Sequence, residues 1–342
     1  MDYAPLALTV QSTYADLVTR AREDSVLDIE GTPIKRKRGK RYYWYMAQRL
    51  GNETRETYLG PDTHEIRDRV ERAREVNEDR KIRQIGRRSL VRMCQEGGMQ
   101  AVDRGTGKVL LALYKAGFFR LRGVLVGTHA FRCYPNVLGV AMPEALAVTE
   151  DIDVATFHSI AVAIDDALNP ALEDTLRKIG SFTARPTRYR QPTSWRDQDS
   201  QTVVELLTPN QGAEREEPME LPSVGAFATP LRHLDFLIHR PIQAVALYRS
   251  GVLVNVPTPA RYAVHKLIIA TRRLEVEKAR KDILQSAALI RVLAEDRPDE
   301  LEEVFIEARN RGPRWREQID KGLRRLPRDA FQALERVTSQ GK

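Results

Sequence analysis

The sequence predicts a mixed α/β (α+β) fold, with a small mixed sheet at its centre, a helical C-terminal domain and an N-terminal β-hairpin arm. Three observations predict it. An apolar run from Gly123 to Gly127 is closed by glycine, as in a buried strand that ends in a tight turn. Asp151–Ala155 and Thr202–Leu207 have the pattern of further strands, and helical periodicity dominates from Pro259 onwards.

The N-terminal segment, residues 1–89, combines a helix with a basic and aromatic stretch over residues 31–61. A run of Lys and Arg is followed there by Tyr42, Tyr43, Trp44 and Tyr45. Aromatic density favours strands, and Gly51-Asn52 suits a reversal, so the stretch predicts a β-hairpin. From residue 62 to about residue 88 the charged sequence predicts a long, exposed helix.

The central segment, residues 90–257, begins with a short buried helix over Val109–Ala116. The strands at Asp151 and Thr202 are separated by a helix near residues 170–179 and by an arginine-rich loop over residues 185–200. A helix near residues 231–237 and a strand pair over residues 244–256 complete this core. Residues 258–342 form the helical domain, with helix starts at Pro259, Glu275, Pro298 and Pro313.

Charge and composition narrow the class of protein and its partners. The formal net charge is +8, which favours a polyanionic partner because Lys and Arg displace counterions from phosphate backbones. No run approaches the ~20 apolar residues of a membrane span, so no membrane partner is expected. The two cysteines have no disulfide or zinc spacing, and we expect a cytoplasmic location.

Asp151 and Asp153 are the strongest candidates for a site of chemistry. They flank Ile152 in a strand pattern, so both carboxylates project from one face and repel each other. A hard cation such as Mg²⁺ prefers carboxylates together with substrate phosphates. An isolated Asp-x-Asp is most often a pair of solvent-facing acids, but here Gly127-Thr128 precedes it and Glu205 follows on an apolar strand.

In this combination the chain resembles the DNA polymerase β-like nucleotidyltransferases. The similarity is closest to a bacterial stand-alone family of that fold, on the strings Val124–Phe131, Thr149–Asp153, Glu205–Pro209 and Pro259–Leu267. The resemblance implies a small mixed-sheet nucleotidyltransferase core with Asp151, Asp153 and Glu205 as catalytic metal ligands. The sequence departs from the family pattern at Thr128, where Ser or Gly is usual, and in an insertion around residues 132–148.

The resemblance also implies the reaction and its cofactors. An enzyme of this kind transfers a nucleoside monophosphate from an NTP to an acceptor, with Mg²⁺ or Mn²⁺, and releases pyrophosphate. Gly127 and Thr128 would cradle phosphate through backbone amides. The helical pair is distantly similar to abortive-infection nucleotidyltransferase toxins, which implies that Lys266, Arg272 or its neighbour Arg273, and Lys281 contact the triphosphate. It also makes an antitoxin a candidate partner. These cations could equally form a solvated helix face.

The basic hairpin is a candidate nucleic-acid surface, with RNA such as tRNA favoured over DNA as acceptor by analogy with the toxins. Cations beside aromatic rings bind phosphates while the rings stack on bases. The residues are Lys35, Arg36, Lys37, Arg38, Lys40, Arg41, Tyr43 and Trp44. The rings could instead form the two faces of a sheet. Two other functions stay open: a catalytically silent nucleic-acid-binding protein, and an enzyme that nucleotidylates small molecules or proteins.

Overall fold

A computed structural model describes residues 3–27, 31–39, 41–50, 53–143, 146, 149, 151–163, 166–210, 212 and 215–339. Its N-terminal part contains four strands and two helices. They are β1 (Ala4–Pro5), α1 (Leu8–Leu27), β2 (Thr32–Arg38), β3 (Arg41–Leu50), β4 (Glu53–Pro61) and α2 (His64–Glu96). The helix predicted from residue 62 to about 88 therefore exists and runs further.

The basic and aromatic stretch forms a three-stranded antiparallel sheet in the order β2-β3-β4, in which β3 and β4 form the predicted β-hairpin and β2 is an additional strand. The chain reverses after Arg38, which pairs with Arg41, and Gly39 takes a positive φ of 61° between them. Glycine adopts this backbone conformation without steric cost, so the basic run divides into two strands. The reversal predicted at Gly51-Asn52, like Lys40, lies outside the described residues.

Helix α1 joins the N-terminal part to the rest of the molecule. Leu17 and Ala21 of α1 are fully buried in a cluster with Val91 of α2 and Val245. Asp24 of α1 is buried and accepts hydrogen bonds from Arg83, at 2.6 Å, and pairs with Arg87, at 3.0 Å. The division of the chain at residues 89 and 257 stays a prediction.

The central part holds the main sheet and short helices around it. The elements are α3 (Arg104–Ala116), β5 (Val124–Leu125), α4 (Gly127–Phe131), α5 (Tyr134–Leu138), β6 (Val140–Ala141), β7 (Asp151–Ala155), α6 (His158–Ala163), α7 (Leu172–Arg177), β8 (Phe182–Ala184), β9 (Ser194–Asp197), β10 (Val203–Pro209), β11 (Met219–Leu221), β12 (Ala226–Leu231), α8 (Leu234–Leu237), β13 (Ile242–Ala246) and β14 (Val252–Val256). The strands predicted at residues 151–155 and 202–207 are present as β7 and β10.

The main sheet is mixed, with the order β11-β12-β10-β7-β5. Central strand β10 runs parallel to β7 and β12, and β5 runs antiparallel to β7. The interior positions Ile152, Val154, Val204 and Leu206 have no solvent exposure, which places the core beneath β7 and β10. Strand β9, which pairs with β10 and β8, occupies part of the segment predicted as an arginine-rich loop.

Five helices follow the sheet: α9 (Pro259–Ala270), α10 (Val276–Asp296), α11 (Pro298–Asn310), α12 (Pro313–Leu323) and α13 (Arg328–Ser339). Their starts match the predicted ones closely. Thr258 caps α9, because its hydroxyl accepts a hydrogen bond from the Arg261 amide at 3.3 Å. Almost every residue of α9 is buried, so α9 is the central helix of this part. No helix among the described residues is long and apolar enough to span a membrane.

Candidate active site

Three carboxylates converge on one face of the main sheet. The register of the parallel pair β7–β10 sets Asp153 directly opposite Glu205, and Asp151 opposite Val203. Asp151 and Asp153 lie two positions apart on a strand and share a face, while Ile152 between them is fully buried. The sheet therefore brings together the acids that the sequence singled out.

The charges of these acids oppose one another. Burial, followed by the negative charges of Glu205 and Asp151, raises the pKa of Asp153 from 3.8 to about 7. Burial, followed by the charge of Asp151, also raises the pKa of Glu205, while a contact with Thr229 at 3.5 Å lowers it. Carboxylates whose ionised form is disfavoured in this way are typical of sites that receive a cation or a proton.

Gly127 brings the turn after β5 against the acids. Its φ is +62°, and a side chain at this position would overlap with the carboxylate of Asp153. The Val126 amide donates a hydrogen bond to the Asp153 carbonyl at 2.9 Å, which fixes the turn against β7. The first amides of helix α4 follow immediately, and the first turn of a helix provides them with no acceptor. Gly127 therefore stands beside Asp153, and the buried Thr128 follows it.

Helices α9 and α10 hold this turn from the other side. The Tyr262 hydroxyl lies 3.0 Å from the Gly127 carbonyl and 3.0 Å from Gln285 Oε1, and its single proton serves one acceptor at a time. The Gln285 amide donates to the carbonyl of Leu146 at 2.6 Å. Tyr262 and Gln285 have no solvent exposure, so the turn rests on a rigid support. Neither residue was predicted.

Cations on α9, on α10 and in the turn between these helices lie near the carboxylates. Lys266 is buried, donates to Asp282 Oδ1 and lies 5.2 Å from the centre of the Tyr262 ring. Arg273 donates to the other oxygen of Asp282 at 3.1 Å. The positive charges of Lys266 and Arg273 both lower the pKa of Asp153, which shows that they act on the same site. Asp282, missed in the sequence, holds the two cations in place.

The other predicted triphosphate contacts differ in their positions. Burial, followed by the charge of Lys266, lowers the pKa of Lys281, and Asp153 and Asp282 act on it in the opposite direction. Lys281 is thus in the electrostatic neighbourhood of the acids. Arg272 instead contacts His233 at 3.3 Å, and of the two arginines it is Arg273 that pairs with Asp282. Helix α9 ends at Ala270, so helical spacing no longer decides which arginine faces the site.

Two further residues near the site were not predicted to belong to it. The charge of Arg185 lowers the pKa of Glu205, which places this guanidinium at the same face of the sheet. His129 is buried, and neither ring nitrogen has a hydrogen-bond partner among the described residues. Burial, followed by the charge of Arg132, lowers the pKa of His129 to about 4, so its imidazole is neutral at neutral pH.

A divalent cation fits the chemistry of the three acids. They offer hard oxygen donors, and their mutual repulsion is the feature that a cation relieves. In the described part of the chain, no three His, Cys, Asp or Glu side chains take the arrangement of a metal site.

The basic sheet β2-β3-β4 has a more varied surface than its sequence predicts. Lys37, Arg38 and Arg41 are exposed, whereas Arg36 pairs with Glu56 and Lys35 pairs with Asp62 at 2.7 Å. Trp44 is buried and donates from its ring nitrogen to Asp62 at 2.9 Å. Its ring is therefore not exposed for stacking on a nucleic-acid base. Tyr43 is half-buried, and the exposed rings of this sheet are Tyr42 and Tyr58.

Comparison with known proteins identifies one family. A family model described as nucleotidyltransferase matches residues 104–310, more than half of the chain. The matched range contains Gly127, the three acids and the cations of α9 and α10, whereas sheet β2-β3-β4 precedes it. No curated protein and no solved structure matches the chain.

Proposed function

Because the chain belongs to the nucleotidyltransferase family, and so transfers nucleoside monophosphate groups, we propose that Asp151, Asp153 and Glu205 form its catalytic centre. The observation that carries the proposal is the register of β7 and β10. It sets Asp153 opposite Glu205 and beside Gly127, where the carboxylates repel one another. An NTP bound there would give its nucleoside monophosphate to an acceptor hydroxyl and release pyrophosphate.

The acids would hold Mg²⁺ or Mn²⁺. When bound, the cation supplies positive charge that favours ionisation of the acceptor hydroxyl and offsets the charge of the leaving pyrophosphate. Asp151, Asp153 and Glu205 are its proposed ligands. We also propose that Glu205, whose pKa is raised by burial, receives the proton that the acceptor hydroxyl loses.

The remaining residues would bind and orient the triphosphate. The amides of Gly127 and Thr128 begin α4 and can donate to phosphate oxygens. Lys266, Lys281 and Arg273 lie across from the acids, where positive charge offsets that of the phosphates. Asp282 keeps Lys266 and Arg273 in position through its two oxygens. Tyr262 supports the turn through the Gly127 carbonyl.

For the acceptor we propose a nucleic acid, with RNA preferred. The net charge of +8 and the exposed cations of sheet β2-β3-β4 support a polyanionic acceptor. A toxin role and a restraining antitoxin remain part of this proposal by analogy alone. Nucleotidylation of a small molecule would use the same centre, and it would proceed without nucleic acid.

The test is transfer of label from each α-labelled NTP, with Mg²⁺, to total RNA, DNA or protein. We expect label in RNA with the wild-type protein and background label with Asp153→Asn. Asp299→Asn, an exposed acid in the first turn of α11, is the matched control and should transfer normally. Transfer by Asp153→Asn at the wild-type rate would refute the proposed centre. Absence of transfer by the wild-type protein with every NTP and acceptor would support the catalytically silent alternative.

A further inference from the structure

A strongly basic cavity lies away from the three carboxylates. A cavity of about 730 Å³ opens between α3, α7 and the turn that joins β13 to β14. Its lining contains five cations and one acid: Lys108, Lys115, Arg177, Lys178, Arg249 and Asp199. None of the proposed catalytic residues lines it. A cavity with this excess of positive charge fits an anionic ligand.

Helix α3 shapes one wall of this cavity. Lys108, Leu111, Ala112 and Lys115 all line it, and they follow the i, i+3, i+4, i+7 spacing of a single helix face. The opposite face, with Leu110 and Leu113, is fully buried in the core. Both lysines are exposed, and within the described residues neither forms an ion pair. Helix α3 thus presents two cations about ten ångströms apart along its axis, at ~1.5 Å per residue.

Lys115 also lines a second cavity, of about 590 Å³, against α2 and the basic sheet. Arg74, Arg80 and Lys81 of α2 line this cavity, together with Glu78 as its acid. Lys115 lines both cavities, which therefore adjoin at this residue, and we call the two together the basic groove. The groove runs from sheet β2-β3-β4 across α3 to α7. Its length and charge suit a chain of phosphates better than a single small anion.

One wall residue of the groove has an unusual backbone. Arg249 has a φ of +54°, a backbone conformation that residues with a side chain rarely adopt. Its guanidinium lies 5.4 Å from the centre of the Tyr248 ring, and that ring packs against Gly107. The turn therefore presents a cation with an aromatic ring at the groove. This pairing is typical of sites that hold unpaired nucleotides.

The hairpin β8–β9 connects the groove to the catalytic face. Gly180 and Ser181, just before β8, line the groove. At the other end of the hairpin the Arg185 amide donates to the Ser194 carbonyl at 2.9 Å, and Ser194 pairs with Glu205. The three residues of β8 separate Ser181 from Arg185, and these four steps of extended chain span roughly 13 Å. A polymer in the groove thus has its next nucleotides within reach of the acids.

We propose that the basic groove binds the phosphate backbone of a single-stranded nucleic acid and leads its acceptor end to the catalytic centre. The second part of this statement rests on the proposed function; the first part does not. Backbone binding explains why cations line two adjoining cavities. These cations belong to α2, α3, α7 and the β13–β14 turn, which lie too far apart for a single metal ion or nucleotide to contact all of them.

The test measures binding of a fluorescent single-stranded RNA by anisotropy over a series of salt concentrations, without NTP. For single strands each lost phosphate contact lowers the slope of log affinity against log salt by ~0.7. Lys108→Gln/Lys115→Gln should therefore reduce the slope by about 1.4 and weaken binding at low salt. Lys321→Gln/Arg336→Gln changes the charge equally at exposed positions of α12 and α13 and should bind as the wild-type protein does.

Two further measurements separate this proposal from the proposed function. The rise in melting temperature with NTP should be the same in the groove variant and the wild-type protein, which also shows that the variant folds. In transfer assays the KM for RNA should rise while the KM for NTP stays constant. If the groove variant binds RNA with the wild-type affinity and slope, the groove proposal is overturned even where transfer is observed.

A single-stranded DNA of the same sequence completes the design. Equal loss of affinity for RNA and DNA supports recognition of the shared phosphate backbone. Failure of the wild-type protein to bind either strand overturns the proposal. Loss of binding in the variant without any transfer by the wild-type protein would leave the groove in place and refute the catalytic assignment instead.

Discussion

The carboxylate of Asp153 is held in surroundings that oppose its charge. Burial and the charges of Glu205 and Asp151 all raise its pKa, against the smaller opposite effects of Lys266 and Arg273. A buried carboxylate with a raised pKa lowers the stability of the folded protein at neutral pH, and such groups are typical of functional sites. Gly127, which leaves room for this carboxylate where any side chain would overlap with it, belongs to the same arrangement.

Replacing Asp153 with Asn should therefore stabilise the metal-free protein while it abolishes transfer. Removal of one repelling charge should raise the free energy of unfolding at pH 8 by about 1–3 kcal/mol, since one pKa unit corresponds to ~1.4 kcal/mol. The measurement is thermal or urea unfolding in the presence of a chelator. Asp299→Asn, the exposed control, should change the stability little. A less stable Asp153→Asn protein would show that the carboxylate stabilises the fold.

The buried imidazole of His129 predicts how stability depends on pH. Its pKa is lowered from 6.5 to about 4 in the folded protein, so between these values the unfolded chain binds more protons. Stability should therefore fall as pH decreases from 6.5 towards 4. His233, whose pKa is also lowered to about 4, contributes in the same direction.

His129→Leu should make that loss of stability shallower, because it removes one of the imidazoles whose pKa is lowered in the folded protein. The expected reduction is on the order of 1–3 kcal/mol between pH 7 and pH 4.5, read from melting temperatures at each pH. His64→Gln, at a highly exposed position of α2, is the control and should leave the profile unchanged. An unchanged profile in His129→Leu would mean that His129 has the same pKa in the folded and the unfolded protein.

Among the elements, those with a clear periodicity were predictable and those without it were not. β7 alternates acids with buried apolar residues, and β10 is an apolar run with a single acid. Three of the helices from Pro259 onwards begin at a proline. β8 and β9 were missed because their strands are only 3 and 4 residues long and border an arginine-rich stretch. Pairing with β10 selects the extended backbone there, and single-chain patterns do not contain that partner.

Helix α1 is an element whose docking depends on one phenol. The Tyr14 hydroxyl donates to the Val245 carbonyl at 3.1 Å and accepts from the Val245 amide at 3.0 Å, and both residues are buried. Tyr14→Phe should leave the two backbone groups of β13 without partners and cost about 1–3 kcal/mol of stability.

The loss should be visible as faster hydrogen exchange in α1 and at Val245, in addition to a lower melting temperature. Tyr58→Phe, at an exposed ring of β4, is the matched control and should cost little. If exchange in α1 stays slow in Tyr14→Phe, the apolar contacts of Leu17 and Ala21 hold the helix without the phenol.

At the scale of the whole molecule, the site divides into a part that local sequence encodes and a part that only the fold creates. Asp151, Asp153, Glu205 and Gly127 stand in strand and turn patterns whose facing sides can be read along the chain. The pairing of Lys266 with Asp282 joins two helices across a bend, and nothing in their spacing identifies it. The choice of Arg273 over Arg272 likewise depends on how the chain leaves α9.

We expect the carboxylates and the cations to bind the nucleotide together, and the stability of the protein with bound nucleotide measures this. Ligand that binds only the folded protein at about 100 times its Kd adds ~2.7 kcal/mol of stability, so NTP with Mg²⁺ should raise the melting temperature by several degrees. A chelator should remove most of this rise, because the acids then repel the triphosphate. Asp299→Asn should keep the rise, and Asp153→Asn should lose its Mg²⁺-dependent component. If the rise is as large with chelator as with Mg²⁺, the triphosphate binds through the cations of α9 and α10 alone, and the three carboxylates have another role.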